Sequence, residues 1–224
     1  MQEKIFIHEG EKNMKFPNAF AGVKKLYIAE ILAIIALILT LITTVAAFFT
    51  IGVIDRGLEE AVNPSLVVTG VFAIVTAILV LIAFVLDLVG LSQAGKDEPT
   101  FKYALIVAIV GIVASAASSF LPDGAGKELL TLLYEIGINL VAVFSIAGIM
   151  ALAKKSMNAE MEERGTFLLK LIIASIIIAN VADIIYRFFA NGAVVLGIVA
   201  IVIDLAASLL YLGYLNRARK MLEE

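Results

Sequence analysis

Asp204 is the only charged residue in the apolar run Ala193–Leu215, and four more carboxylates, Glu30, Asp87, Glu135 and Asp183, interrupt similar runs. A charge near the centre of a bilayer costs about 2.5–3.5 kcal/mol on insertion scales, so each of these groups needs a partner or a purpose. Glu30 and Asp87 fall near the ends of their runs, where water or basic neighbours such as Lys25 and Lys96 are expected to serve them. Asp204 stands about eleven residues into its run, roughly 16 Å deep, which is the middle of a bilayer. Asn180 and Asn139 fall at nearly the same depth in the two preceding runs.

Spacing joins these groups into a path. Glu135 precedes Asn139 by four residues and Asp183 follows Asn180 by three, so each pair shares one helix face. Arg187 follows Asp183 at four residues, within reach of an ion pair, and Ser208 follows Asp204 by the same step. The expected arrangement is a polar route from Arg187, Asp183 and Glu135 to a midplane site at Asp204, Asn180 and Asn139, with Ser208 beside it. There Asp204 can hold and release a proton or a cation. The alternative is polar glue: the same groups hydrogen-bond to one another and fix the register of the helices.

Other chemistries lack their residues. Cys is absent and the single His, His8, lies near the N-terminus, so no metal site and no His-Glu-x-x-His protease is expected. No Gly-x-Ser-x-Gly elbow and no phosphate-binding glycine loop occurs. Asp183 and Asp204 differ in depth by several ångströms and lack the Gly-x-Gly-Asp context of intramembrane aspartyl proteases. No enzyme and no cofactor is expected.

The elements that must position these side chains follow from composition. The 224 residues are 62% hydrophobic and 17% charged, with a mean hydropathy of +1.03. Soluble domains are about 45–50% apolar and 25% charged, so a soluble domain is excluded, and so is a disordered chain. The net charge of −3 argues against a nucleic-acid partner.

Six runs are long enough to cross a bilayer as helices: about Leu26–Val53, Ser65–Leu91, Phe101–Phe120, Leu129–Ala153, Phe167–Phe189 and Ala193–Leu215. The fold class expected is all-α, a polytopic membrane bundle of six transmembrane helices. Pro17, Pro64, Pro99 and Pro122 all fall outside the runs. Asn63-Pro64 reads as an N-cap followed by proline at the first helical position. Pro122-Asp123-Gly124 and Asn191-Gly192 read as tight turns.

The 17 Lys and Arg residues divide unevenly between the two sides of such a bundle. Lys4, Lys12, Lys15, Lys24, Lys25, Lys96, Lys102, Lys154, Lys155, Arg164, Lys170, Arg217, Arg219 and Lys220 fall on the side of both termini. Only Arg56, Lys127 and Arg187 fall opposite. The positive-inside rule then puts both termini in the cytoplasm of a cell (plasma) membrane. A basic leader of about 25 residues and an overlong apolar run argue against a cleaved signal peptide.

Residues 1–19 read as a polar cytoplasmic arm, with a small apolar patch at Ile5-Phe6-Ile7, and residues 20–224 as the membrane domain. That domain divides into hairpin units of about 20–98, 99–164 and 165–224. The outgoing helices end alike, Leu91-Ser92-Gln93-Ala94-Gly95-Lys96 against Leu215-Asn216-Arg217-Ala218-Arg219-Lys220, with Leu152-Ala153-Lys154-Lys155 a looser third. These ends are consistent with a threefold repeat or with convergence on similar cytoplasmic boundaries. Ala104, Ala108, Gly111, Ser115 and Ser119 mark a face for close helix packing, as does Ala29-x-x-x-Ala33. Glu162-Glu163-Arg164 reads as a solvated charge run in a cytoplasmic loop, Lys154–Thr166.

Two function classes remain. One is a small transporter, channel or solute-binding membrane subunit that uses the Asp204 site. The other is a non-catalytic scaffold or accessory subunit that binds other membrane proteins or a second copy of itself.

Overall fold

Long runs without charge or proline give helices whose backbone groups bond internally, as a bilayer requires. The computed structural model describes the backbone over residues 15–54, 62–188 and 193–223, and side chains over 15–46, 69–177, 199 and 201–223. Among the described residues there are six helices: α1 (Pro17–Ile54), α2 (Val62–Ala94), α3 (Thr100–Ser118), α4 (Ala125–Lys155), α5 (Ala159–Phe188) and α6 (Ala193–Glu223). No strand occurs among the described residues. The protein is an all-helical membrane bundle.

Among the described residues five segments are long and apolar enough to cross a membrane: Pro17–Ala46, Thr69–Ala94, Thr100–Ser118, Ala125–Lys155 and Ile201–Glu223. About half of the expected span at Phe167–Phe189 lies beyond residue 177, where the described side chains of α5 end; the described part of α5 opens with the charged turns of Glu160, Glu162, Glu163 and Arg164.

Several boundaries differ from the sequence expectation. Pro17 is the first residue of α1, a position where its missing N–H would have had no helical partner. Pro64 is the third residue of α2, not the first, and is tolerated there for the same reason. The stretch expected to be a loop, Lys154–Thr166, is a short turn followed by the opening of α5. Asn158 caps that opening, its Oδ1 accepting the Met161 amide at 3.1 Å. The Glu162-Glu163-Arg164 run is therefore helical, and Arg164 pairs with Glu160 one turn away at 2.7 Å. Residues 1–14, including Ile5-Phe6-Ile7 and His8, and the Asn191-Gly192 turn lie outside the described residues.

The chain forms two compact units, one of 1–27, 86–172 and 213–224, the other of 28–85 and 173–212. In the first unit the helices pair as antiparallel hairpins. Asn18 bonds Asp97 and Lys25 bonds Gln93, joining α1 to the end of α2 and the turn that follows it. Phe101 lies against Gly148, and Gly111 against Tyr134 and Gly137, so α3 and α4 run in opposite directions. Arg217 approaches Glu160 at 3.7 Å and Tyr214 donates to the Met161 carbonyl at 3.5 Å, pairing α5 with α6. Arg219 stacks on the Tyr27 ring at 4.8 Å, which brings α6 back to α1.

Most of the fully buried side chains belong to this unit. Leu91, Leu152 and Leu215, the equivalent leucines of the three outgoing helix ends, are each 0% exposed. On α3 the packing face is Phe101, Ala104, Gly111 and Ala114. Ser119, expected on that face, is exposed. The second unit buries Ala29, Ile34, Ala36 and Ala83 and leaves Ile74 and Leu81 more than half exposed. Apolar surface on that scale requires a lipid surround.

Candidate functional site

The second unit holds Asp204, Ser208 and Glu30. Asp204 and Ser208 stand four residues apart on α6 and so share a face. Glu30, on α1, is half-buried beside the fully packed Ala29. Ser208 is hydrogen-bonded to the Glu30 carboxylate, linking α1 to α6. Lys25, the partner expected for Glu30, is turned instead to Gln93 in the first unit. Asp204 is exposed. Its carboxylate has no hydrogen-bond or ion-pair partner among the described residues. The Thr76 hydroxyl on α2, also in this unit, is buried without a partner among the described residues.

The remaining expected site residues fall in two places. Glu135 is exposed and Asn139 half-buried, one turn apart on α4 in the first unit. Asn180, Asp183 and Arg187 lie on the helical backbone of α5 in the second unit, and their side chains lie outside the described residues. What the structure brings together is therefore Ser208 with Glu30, and Asp204 one turn from Ser208. Sequence reasoning gave Glu30 to a nearby lysine.

A second polar cluster, not foreseen from the sequence, occupies the α2–α3 turn in the first unit. Asp97 accepts the Ala19 amide at 2.7 Å and the Asn18 side-chain amide at 2.8 Å. Glu98 accepts the Thr100 hydroxyl at 2.7 Å and the Lys155 ammonium at 2.6 Å. Burial pushes the Glu98 carboxyl up, but the bonds from Lys155 and Thr100 and the Lys155 charge outweigh it and hold the group below the usual carboxylate value. These bonds tie together the ends of α1, α3 and α4, which is a structural task.

Among the described residues no group of His, Cys, Asp and Glu could hold a metal ion. The Glu30–Ser208 bond and Asp204, one turn from Ser208 on α6, place two carboxylates in this unit. No protein-family model matches the sequence, and no curated protein and no solved structure matches it.

Proposed function

We propose that this protein is a six-span membrane transporter, channel or solute-binding subunit whose site is the polar group on α1 and α6. In this reading α5 is the sixth span and both termini face the cytoplasm. The observation that carries it is Asp204: an exposed carboxylate, without a partner among the described residues, one turn from a serine that serves a second carboxylate. Carboxylates in apolar helices are retained chiefly for function. Helix glue would consume Asp204 in a hydrogen bond. Asn180, Asp183 and Arg187, on α5 in the same unit, extend the proposed path.

Thermal unfolding of the purified protein tests it, wild type against Asp204→Asn, across pH and a panel of alkali and alkaline-earth cations. A ligand that binds only the folded state raises the midpoint with concentration. A proton- or cation-dependent rise in wild type that Asp204→Asn lacks supports the reading. Identical behaviour of the two proteins across the panel overturns it and favours the scaffold role.

A further inference from the structure

Six exposed lysines in the first unit have ammonium groups with no hydrogen-bond or ion-pair partner among the described residues: Lys24, Lys96, Lys102, Lys154, Lys170 and Lys220. They are distributed one to each helix or to the turn that follows it. Lys24 is on α1, Lys96 follows α2, and Lys102, Lys154, Lys170 and Lys220 belong to α3, α4, α5 and α6. We infer that these lysines bind the anionic headgroups of membrane phospholipids.

Three observations support the inference. First, the acids at this end are largely engaged within the protein. Asp97 is held by Asn18 and Ala19, Glu98 by Lys155, and Glu160 by Arg164 and Arg217. Among the described residues Glu162, Glu163 and Glu223 are left against six ammonium groups, so the free charge of the described residues at this end is positive.

Second, the lysines fall at the boundary between apolar helix and polar turn. Lys102 follows Phe101, which packs on Gly148, and Lys154 lies further along α4, roughly 9 Å nearer the polar end at 1.5 Å per residue. Flexible stems close such a gap by snorkelling. Tyr103 beside Lys102 is 57% exposed, and Phe167, one turn before Lys170, is 64% exposed. Exposed aromatic rings among lysines mark the headgroup level of a bilayer.

Third, the distribution suits lipid. A protein partner would meet one side of the bundle, whereas a lipid shell meets every helix. A lysine near an anionic surface attracts it by an amount equivalent to about fivefold in binding at low ionic strength.

The test uses the full chain in vesicles of phosphatidylcholine with or without phosphatidylglycerol, at low and high salt. Native mass spectrometry reads the lipids retained, and thermal unfolding reads stability. The inference expects preferential retention of phosphatidylglycerol and a higher midpoint in its presence, both reduced by salt. Replacing Lys96, Lys102 and Lys154 together with glutamine should lower the preference by up to about fivefold per lysine, and arginine at the same positions should preserve it. Equal retention of the two lipids, or a preference that salt does not reduce, overturns the inference; wild type alone supplies both readouts. Loss of a co-purifying acidic protein from the glutamine variant, with its lipid preference unchanged, also overturns it by assigning the surface to that partner.

Discussion

The Asp97 carboxylate closes the N-terminus of α1 from 78 residues away, one oxygen accepting the Ala19 amide at 2.7 Å. The opening amides of a helix lack internal partners and carry partial positive charge, so a carboxylate placed there satisfies both needs. Pro17 begins the helix without an N–H of its own, which leaves Ala19 as a donor still to be met. Capping here is a tertiary contact.

Asp97→Ala should therefore lower stability by about 0.5–2 kcal/mol, the range for loss of a capping side chain. Asp97→Asn should fall between, since its single oxygen can serve only one of the two donors. Denaturant unfolding in detergent measures both, and a neutral Asp97→Ala would contradict the capping role.

Glu98 gives a dependence on pH. Its folded carboxyl is held below the ordinary value of 4.5. The stabilisation is present above the unfolded value and is lost as pH falls through the folded one. Unfolding midpoints measured downward from neutral pH should decline below about pH 4.5, and less steeply in Glu98→Gln. At neutral pH that variant should lose about 1–3 kcal/mol, because its charge-assisted bond to Lys155 is gone.

Gly22 sits where α1 meets α2 backbone to backbone. A Cβ there would lie 2.5 Å from the Gly90 carbonyl oxygen and 2.6 Å from the Ala94 nitrogen. Gly22→Ala must force the helices apart, with a loss of about 1–3 kcal/mol. Gly70→Ala is the control, since nothing lies within 4 Å of a Cβ at that site, and it should be neutral or slightly stabilising. Paired thermal scans separate the two.

Met157 points to a stabilising change. It ends α4 in the left-handed region, at φ 57. The Asn158 amide reaches back to the Ala153 carbonyl at 2.9 Å and the Met157 amide to that of Lys154 at 3.1 Å. This is the termination that glycine favours. The side chain is 94% exposed, so little packing is lost on removing it. Met157→Gly should raise stability by about 1 kcal/mol, while Met157→Ala, still strained, should not.

The helices were legible because apolar runs of twenty or more residues, interrupted by few charges, admit little else. Their ends were not. The apolar pattern of α5 starts at Phe167, yet the helix starts at Ala159, because Asn158 and the Glu160–Arg164 pair support two polar turns that hydropathy passes over. The same limit hid the Asp97–Glu98 turn, whose partners are 57 to 79 residues distant in sequence. At the candidate site, Asp204 and Ser208 were visible as polar interruptions of α6. The bond between Ser208 and Glu30 depends on which faces of α1 and α6 meet, and a single sequence does not specify that.

The two bonded carboxylates of the α2–α3 turn also impose an order on biogenesis. When α1 enters the membrane its first turn is uncapped, and the Ala19 amide gains its acceptor only after 78 further residues have been made. Glu98 then waits for another 57, until Lys155 emerges at the close of α4. Each latch thus closes only on completion of the hairpin that supplies it, so a nascent chain halted between them would hold one latch shut and the other open.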